Sequence, residues 1–335
     1  MAKNTPTVGK IRGLASTSNQ AGSFTILALD HRQSFLKMID PTHAESVEFN
    51  TVVEVKSQVV RLLGAHASAV LLDPIYGAGQ AVANGALPGS LGLIVAVEES
   101  GYTGSEVARQ SALLPDWSVK KIKRMGADAV KLLIYYHPDT GELAESQESF
   151  VKAVVQDCLE ADLPLFLEAV SYSPVPGVSK SSVEFAEHLP ELTCEIARRL
   201  GALQPDVLKL EFPVHPIFQT DQGDWHRACQ NVSRAAPCPW ALLSGGVDFE
   251  LFARQVEVAC QAGASGYIAG RAVWQEAIAL PTPQREAWLS EVGARRLDRL
   301  NDIALRWAIP WKSFFPNLAE SVGENWYRSY PEQYS

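Results

Sequence analysis

Cysteine is scarce in this chain and methionine scarcer, with five and three among 335 residues. Cys158, Cys194, Cys229, Cys238 and Cys260 are odd in number, widely spaced and form no Cys-x-x-Cys pair. They read as reduced thiols, and a zinc site built on cysteine is not expected. The seven histidines are scattered without His-x-His or His-Glu-x-x-His spacing, so neither a metal nor another cofactor is called for. Gly-x-Ser-x-Gly is absent, which speaks against a serine-hydrolase elbow. No apolar run reaches membrane-spanning length, and residues 1–23 lack the apolar core of a signal peptide. A soluble protein of the cytoplasm, with no membrane partner, is the expectation. Positive charge is in deficit, with 29 Lys and Arg against 38 Asp and Glu and a formal net charge of -9. Such a field repels phosphate backbones and argues against nucleic acid, while leaving room for a local basic pocket that binds a small phosphorylated molecule.

Apolar residues make up 47% of the chain, enough for a large core. They fall in short runs that alternate with longer amphipathic segments, the pattern of repeated βα units. The expected strands are Phe24–Asp30, Ala67–Asp73, Leu91–Val97, Ala129–Tyr135, Pro164–Val170, Asp206–Phe212, Trp240–Ser244 and Ser265–Ala269. Expected helices include Ala44–Leu63, Ser118–Met125, Ser146–Glu160, Ser181–Leu200, Asp224–Ala235 and Phe249–Ala262. Eight such units close into a (β/α)8 TIM barrel of the α/β class more readily than into an open doubly wound sheet, and no Gly-x-Gly-x-x-Gly follows the first strand. Gly64, Gly126, Gly201 and Gly263, each followed by alanine, read as left-handed helix C-caps that locate the next strand. With no low-complexity linker, residues 15–310 are expected to form one domain and 311–335 a C-terminal extension. The tail from Ile309, rich in Pro, Trp and Tyr, is a candidate for sealing the barrel or for contacting another subunit of a homo-oligomer.

In this architecture chemistry resides at the C-terminal ends of the strands, so polar residues ending apolar runs carry weight. They are Asp30, His31 and Arg32 after the first strand, Asp73 after the second, and Glu98 and Glu99 after the third. Lys131, Glu168, Lys209 and Glu211 follow in strands four to six, then Ser244-Gly245-Gly246 and Gly270-Arg271 after strands seven and eight. His31, Arg32 and Asp73 are candidate substrate contacts, Asp73 alternatively a cation ligand. Lys131 and Lys209 occupy similar settings, Asp-Ala-Val-Lys-Leu and Asp-Val-Leu-Lys-Leu. Each could be half of a buried ion pair with Glu168 or Glu211. Together with a glutamate they also fit an amine nucleophile: a second ammonium and burial lower a lysine pKa, and the carboxylate moves protons. The shift matters, since an amine of pKa ~10.4 is neutral in less than about one molecule in a thousand at pH 7. The glycines after strands seven and eight, with Arg271, suit a phosphate, although tight turns alone would also use them.

These segments have a family resemblance. Leu27-Ala28-Leu29-Asp30-His31-Arg32, Asp73-Pro74-Ile75-Tyr76-Gly77, Asp128-Ala129-Val130-Lys131, Phe166-Leu167-Glu168, Val207-Leu208-Lys209, Leu243-Ser244-Gly245-Gly246 and Ala269-Gly270-Arg271 together resemble the tagatose 1,6-bisphosphate aldolases. The sulfofructose 1-phosphate aldolases are close relatives. The resemblance runs in order from about residue 24 to 275. It implies a class I aldolase on a (β/α)8 barrel, with Lys209 as the imine-forming lysine, Glu168 as the proton-transfer group and Lys131 as its neighbouring cation. By the same likeness Asp30 contacts substrate hydroxyls, while Ser244, Gly245, Gly270 and Arg271 hold an anionic group. One departure is His31, where the family commonly has Gln. The implied substrate is a ketohexose phosphate of the tagatose 1,6-bisphosphate kind, cleaved to dihydroxyacetone phosphate and glyceraldehyde 3-phosphate. Alternatives are sulfofructose 1-phosphate giving sulfolactaldehyde, a deoxyribose-phosphate-type aldolase with an acetaldehyde donor, and a non-catalytic sugar-phosphate-binding barrel.

Overall fold

The structure is a computed structural model, and it describes residues 6–316, 318–319 and 322–330. Part of the tail, including 331–335, therefore lies outside the described residues. Eight parallel strands close on one another: β1 Phe24–Leu29, β2 Ala69–Leu72, β3 Gly92–Ala96, β4 Ala129–Tyr135, β5 Leu165–Val170, β6 Val207–Leu210, β7 Trp240–Leu243 and β8 Gly266–Ala269. The order around the barrel is the order in the chain, with β8 pairing back onto β1 through Phe24 and Gly266. The TIM barrel expected from the sequence is therefore observed.

Alternation along the strands divides the core in two. Phe24, Ile26, Ala28, Leu71, Ile94, Ala129, Phe166, Val207, Ala241 and Ile268 fill the barrel interior, whereas Leu27, Leu29, Val70, Val95, Val130 and Leu208 face the helices. Stepping two residues from Ala28, Ala129, Phe166 and Val207 leads to Asp30, Lys131, Glu168 and Lys209. A period of two thus carries the charged groups to the mouth above an apolar interior. The opposite end is closed by Leu14, from the helix Val8–Ser16, and by Trp311, both fully buried with the interior cluster. Lys10 of that helix is paired with Asp206 at 2.9 Å.

Some expectations are corrected. The helix expected from Ala44 begins at Phe49, after a separate 3-10 turn at Ala44–Ser46, and the one expected from Ser146 begins at Glu142. An antiparallel hairpin, Thr103–Ser105 with Ala108–Gln110, follows β3. Gly126 and Gly263 do take positive φ, at 90° and 113°, but Gly64 and Gly201 do not. Close packing explains those two: an added Cβ would stand 2.8 Å from Leu91 at Gly64 and 2.3 Å from Pro237 at Gly201. Among the described residues no helix is long and apolar enough to cross a membrane.

Candidate active site

Strand register places the central groups. Glu168 lies directly opposite Lys209 across β5 and β6, and Lys131 is opposite Phe166, one pleat below Glu168. Their side chains converge on one oxygen: Glu168 Oε2 lies 2.8 Å from Lys209 Nζ and 3.0 Å from Lys131 Nζ. Lys131 also reaches Glu98 at 2.6 Å and Asp30 at 2.7 Å. Two ammonium groups thus sit among three carboxylates, with little of any of the five side chains exposed. Burial pulls the Lys131 pKa down, but Asp30, Glu168 and Glu98 outweigh it and hold the value well above the usual lysine range. Burial pushes Asp30 and Glu168 up, and there the two lysines outweigh it, so both carboxyls lie below their ordinary values. Lys131 remains an ammonium and both carboxyls remain ionised at neutral pH.

These groups line a cavity of about 540 Å³ at the C-terminal ends of the strands. His31, Arg32, Ser244, Gly245, Gly270 and Arg271 line it too. Glycine is required beside Arg271, because Gly246 has φ 81° and a Cβ there would stand 2.8 Å from the guanidinium carbon. At Gly270 a Cβ would meet the His31 ring at 2.9 Å. The Ser244 hydroxyl accepts from Gly270 N–H at 3.3 Å, tying the two loops together. Arg32 donates through Nη2 to the Glu98 carbonyl at 2.6 Å, and its buried Nη1 has no hydrogen-bond partner among the described residues. The His31 ring stands edge-on to Trp274 with centroids 5.3 Å apart. Burial, with Arg271 and Lys209 near, brings its pKa down to about 4 against the pull of Asp30, so the imidazole is neutral at pH 7. A larger open depression of about 740 Å³ at the N-terminal ends of the strands contains no lysine or glutamate. Among the described residues no three His, Cys, Asp or Glu side chains are grouped to hold a metal ion.

Residues 24–276 match the profile described as DeoC/LacD family aldolase. The chain belongs to the DeoC/LacD aldolase family. Relatives include a tagatose 1,6-diphosphate aldolase of Staphylococcus aureus (strain bovine RF122 / ET3-1), 32% identical over 324 residues, covering 90% of this chain and 97% of the relative. Tagatose 1,6-diphosphate aldolase 2 of Enterococcus faecalis (strain ATCC 700802 / V583) is 33% identical over 330 residues, covering 92% and 97%. The fold is shared with a Schiff-base-forming fructose-1,6-bisphosphate aldolase, at TM-score 0.56 and 20% identity, covering 87% of this chain and 98% of that one. It is shared also with the fructose-bisphosphate aldolase of Plasmodium falciparum, at TM-score 0.69 and 15% identity, covering 92% and 99%.

Within this aldolase-family barrel, ten of the twelve residues singled out in the sequence as catalytic or substrate-binding line one cavity. Asp73 and Gly246 are the exceptions. Asp73 has inward parity on β2, yet its carboxylate is fully buried against Lys56, accepts from Ile75 and Tyr76 N–H and does not line the cavity. Gly246 lies behind Arg271 and acts by making room for it. Glu211, a possible partner of Lys209 by sequence, turns to Lys180 and to Ser171 instead. Glu98, noted only as a strand end, proves to be a direct partner of Lys131. Lys56 was not among the candidates, although a lysine within Val52-Val53-Glu54-Val55-Lys56-Ser57-Gln58-Val59-Val60 is a visible signal.

Proposed function

We propose that this chain is a class I aldolase that cleaves a phosphorylated ketohexose of the tagatose 1,6-bisphosphate kind to dihydroxyacetone phosphate and glyceraldehyde 3-phosphate. The observation that carries this reading is the single carboxylate oxygen shared by Lys209 and Lys131 inside a cavity that ends at Arg271. The names of the Staphylococcus and Enterococcus relatives support the substrate class. We place the enzyme in the cytoplasm and read the barrel as one catalytic domain that extends beyond the expected 15–310, since Leu14 and Trp311 belong to its interior cluster.

In the proposed mechanism the Lys209 amine, having passed its proton to Glu168, adds to the C2 carbonyl, and Glu168 returns that proton to the carbinolamine hydroxyl, which leaves as water to give a protonated imine and an ionised Glu168. Glu168 takes the proton of the C4 hydroxyl. The C3–C4 bond then breaks, its electron pair moving toward the iminium as an enamine, and the aldehyde departs. Protonated Glu168 returns its proton to C3, and water releases dihydroxyacetone phosphate from Lys209. Lys131 stays positive throughout, fixing Glu168 and Asp30 and favouring the oxyanion that develops at C4. Asp30 orients substrate hydroxyls. Ser244, Gly245, Gly270 and Arg271 receive the C1 phosphate, while the unpartnered Nη1 of Arg32 suits the distal anion.

Turnover of tagatose 1,6-bisphosphate, fructose 1,6-bisphosphate and sulfofructose 1-phosphate, followed by release of dihydroxyacetone phosphate, tests this assignment. Cleavage of either bisphosphate faster than the sulfosugar is expected. A preference for the sulfosugar would replace the substrate, and cleavage of none of the three would favour a binding barrel instead.

A further inference from the structure

Helix Phe49–Leu63 packs Val52, Val55, Val59 and Val60 into the core, and Lys56 lies among them with 1% of its surface exposed. Its ammonium has three N–H groups and three acceptors: the Leu29 carbonyl at 2.8 Å, the His31 carbonyl at 2.7 Å and the Asp73 carboxylate. The Phe35 ring lies 5.0 Å away. No donor is left over for a substrate. The two carbonyls flank Asp30, at the point where the chain leaves β1. Asp73 accepts in addition from Ile75 N–H at 2.9 Å and Tyr76 N–H at 2.8 Å, so the turn after β2 is fastened to the same ammonium.

Removing an ammonium and a carboxylate from water costs several kcal/mol each, and apolar residues of similar volume often replace such a pair with no loss of stability. Sealing the helix against the sheet therefore does not require this pair. Its contacts point to a different role, because they fix the 29–30 and 31–32 peptide groups that bracket Asp30, whose carboxylate reaches Lys131 at 2.7 Å. We infer that Lys56 and Asp73 form a clamp that positions Asp30 for the aldol cleavage, Lys56 acting through the backbone of residues 29–31 without touching the substrate. The inference rests on the aldolase reading given above.

Lys56→Met alone leaves the Asp73 carboxylate buried without its cation, which can unfold the protein. The test is therefore Lys56→Met/Asp73→Asn, which removes both charges, with folding followed by circular dichroism. A folded protein is expected in which kcat for the ketose bisphosphate falls by about 10²-fold, the effect of a roughly 1 Å misplacement, with KM within about threefold. The same protein should still be trapped on Lys209 by dihydroxyacetone phosphate and borohydride. Asp30→Asn should lower kcat in the wild-type background and add little in the clamp variant, because both changes remove one interaction. An undiminished clamp variant, or an Asp30→Asn loss of equal factor in both backgrounds, would overturn the positioning role alone. A double variant that does not fold would assign the pair to stability instead. A wild-type protein that neither cleaves nor is trapped would overturn the aldolase reading itself.

Discussion

Glu168 Oε2 is the point at which the candidate chemistry meets: one oxygen lies within 3.0 Å of both Lys131 and Lys209. Lys131 is held charged by three carboxylates, so in the proposed reaction it serves as a fixed positive group while Lys209 exchanges its proton. His31 offers a separate prediction. Its folded-state pKa, about 4, lies below the usual imidazole value, chiefly through burial. The unfolded chain therefore binds the proton first, and stability falls as pH drops from about 6.5 to about 4. His137, also lowered by burial, adds to the same slope. The depressed carboxyls of Asp30 and Glu168 contribute stability that is lost only at lower pH, as it falls through their folded values. His31→Gln should thus narrow the difference in urea midpoint between pH 7 and pH 5. An unchanged difference would contradict a buried neutral ring.

At the scale of elements, the loop after β7 makes the clearest prediction. Gly246→Ala introduces a Cβ at φ 81°, costing roughly 1–2 kcal/mol, and presses it against the Arg271 guanidinium. If Arg271 holds the C1 phosphate, KM for the bisphosphate should rise by about tenfold with a smaller change in kcat, as steady-state kinetics would show. An unaltered KM would remove Arg271 from the phosphate site. Strands were legible because each is a short apolar run ended by a polar group, and the period of two carried Lys131, Glu168 and Lys209 into one cluster. Asp73 obeyed the same parity and misled. Its partner, Lys56, lies on a helix distant in sequence from the strand ends, so the rule that selects strand-end polar groups passes over it. Gly64 and Gly201 misled for a related reason: a glycine kept for close packing has the same sequence appearance as one kept for positive φ.

For the whole molecule, the barrel was readable from its repeat and its floor only in part: the tail from Ile309 was a candidate for sealing it, as Trp311 does, whereas the N-terminal helix that carries Leu14 had no such signal. Leu14 and Trp311 come from opposite ends of the chain and join one interior cluster, a long-range association that no local pattern announces. The result is a barrel closed below by apolar packing and open above at one charged cavity, consistent with membership of the aldolase family. In the proposed reaction Lys209 forms an imine inside that cavity. Incubation with dihydroxyacetone phosphate and sodium borohydride, then peptide mass spectrometry, measures it directly. One reduced dihydroxyacetone phosphate adduct per chain is expected, on Lys209, and none in Lys209→Ala. An adduct on another residue, or none on a protein that still cleaves the sugar, would contradict it.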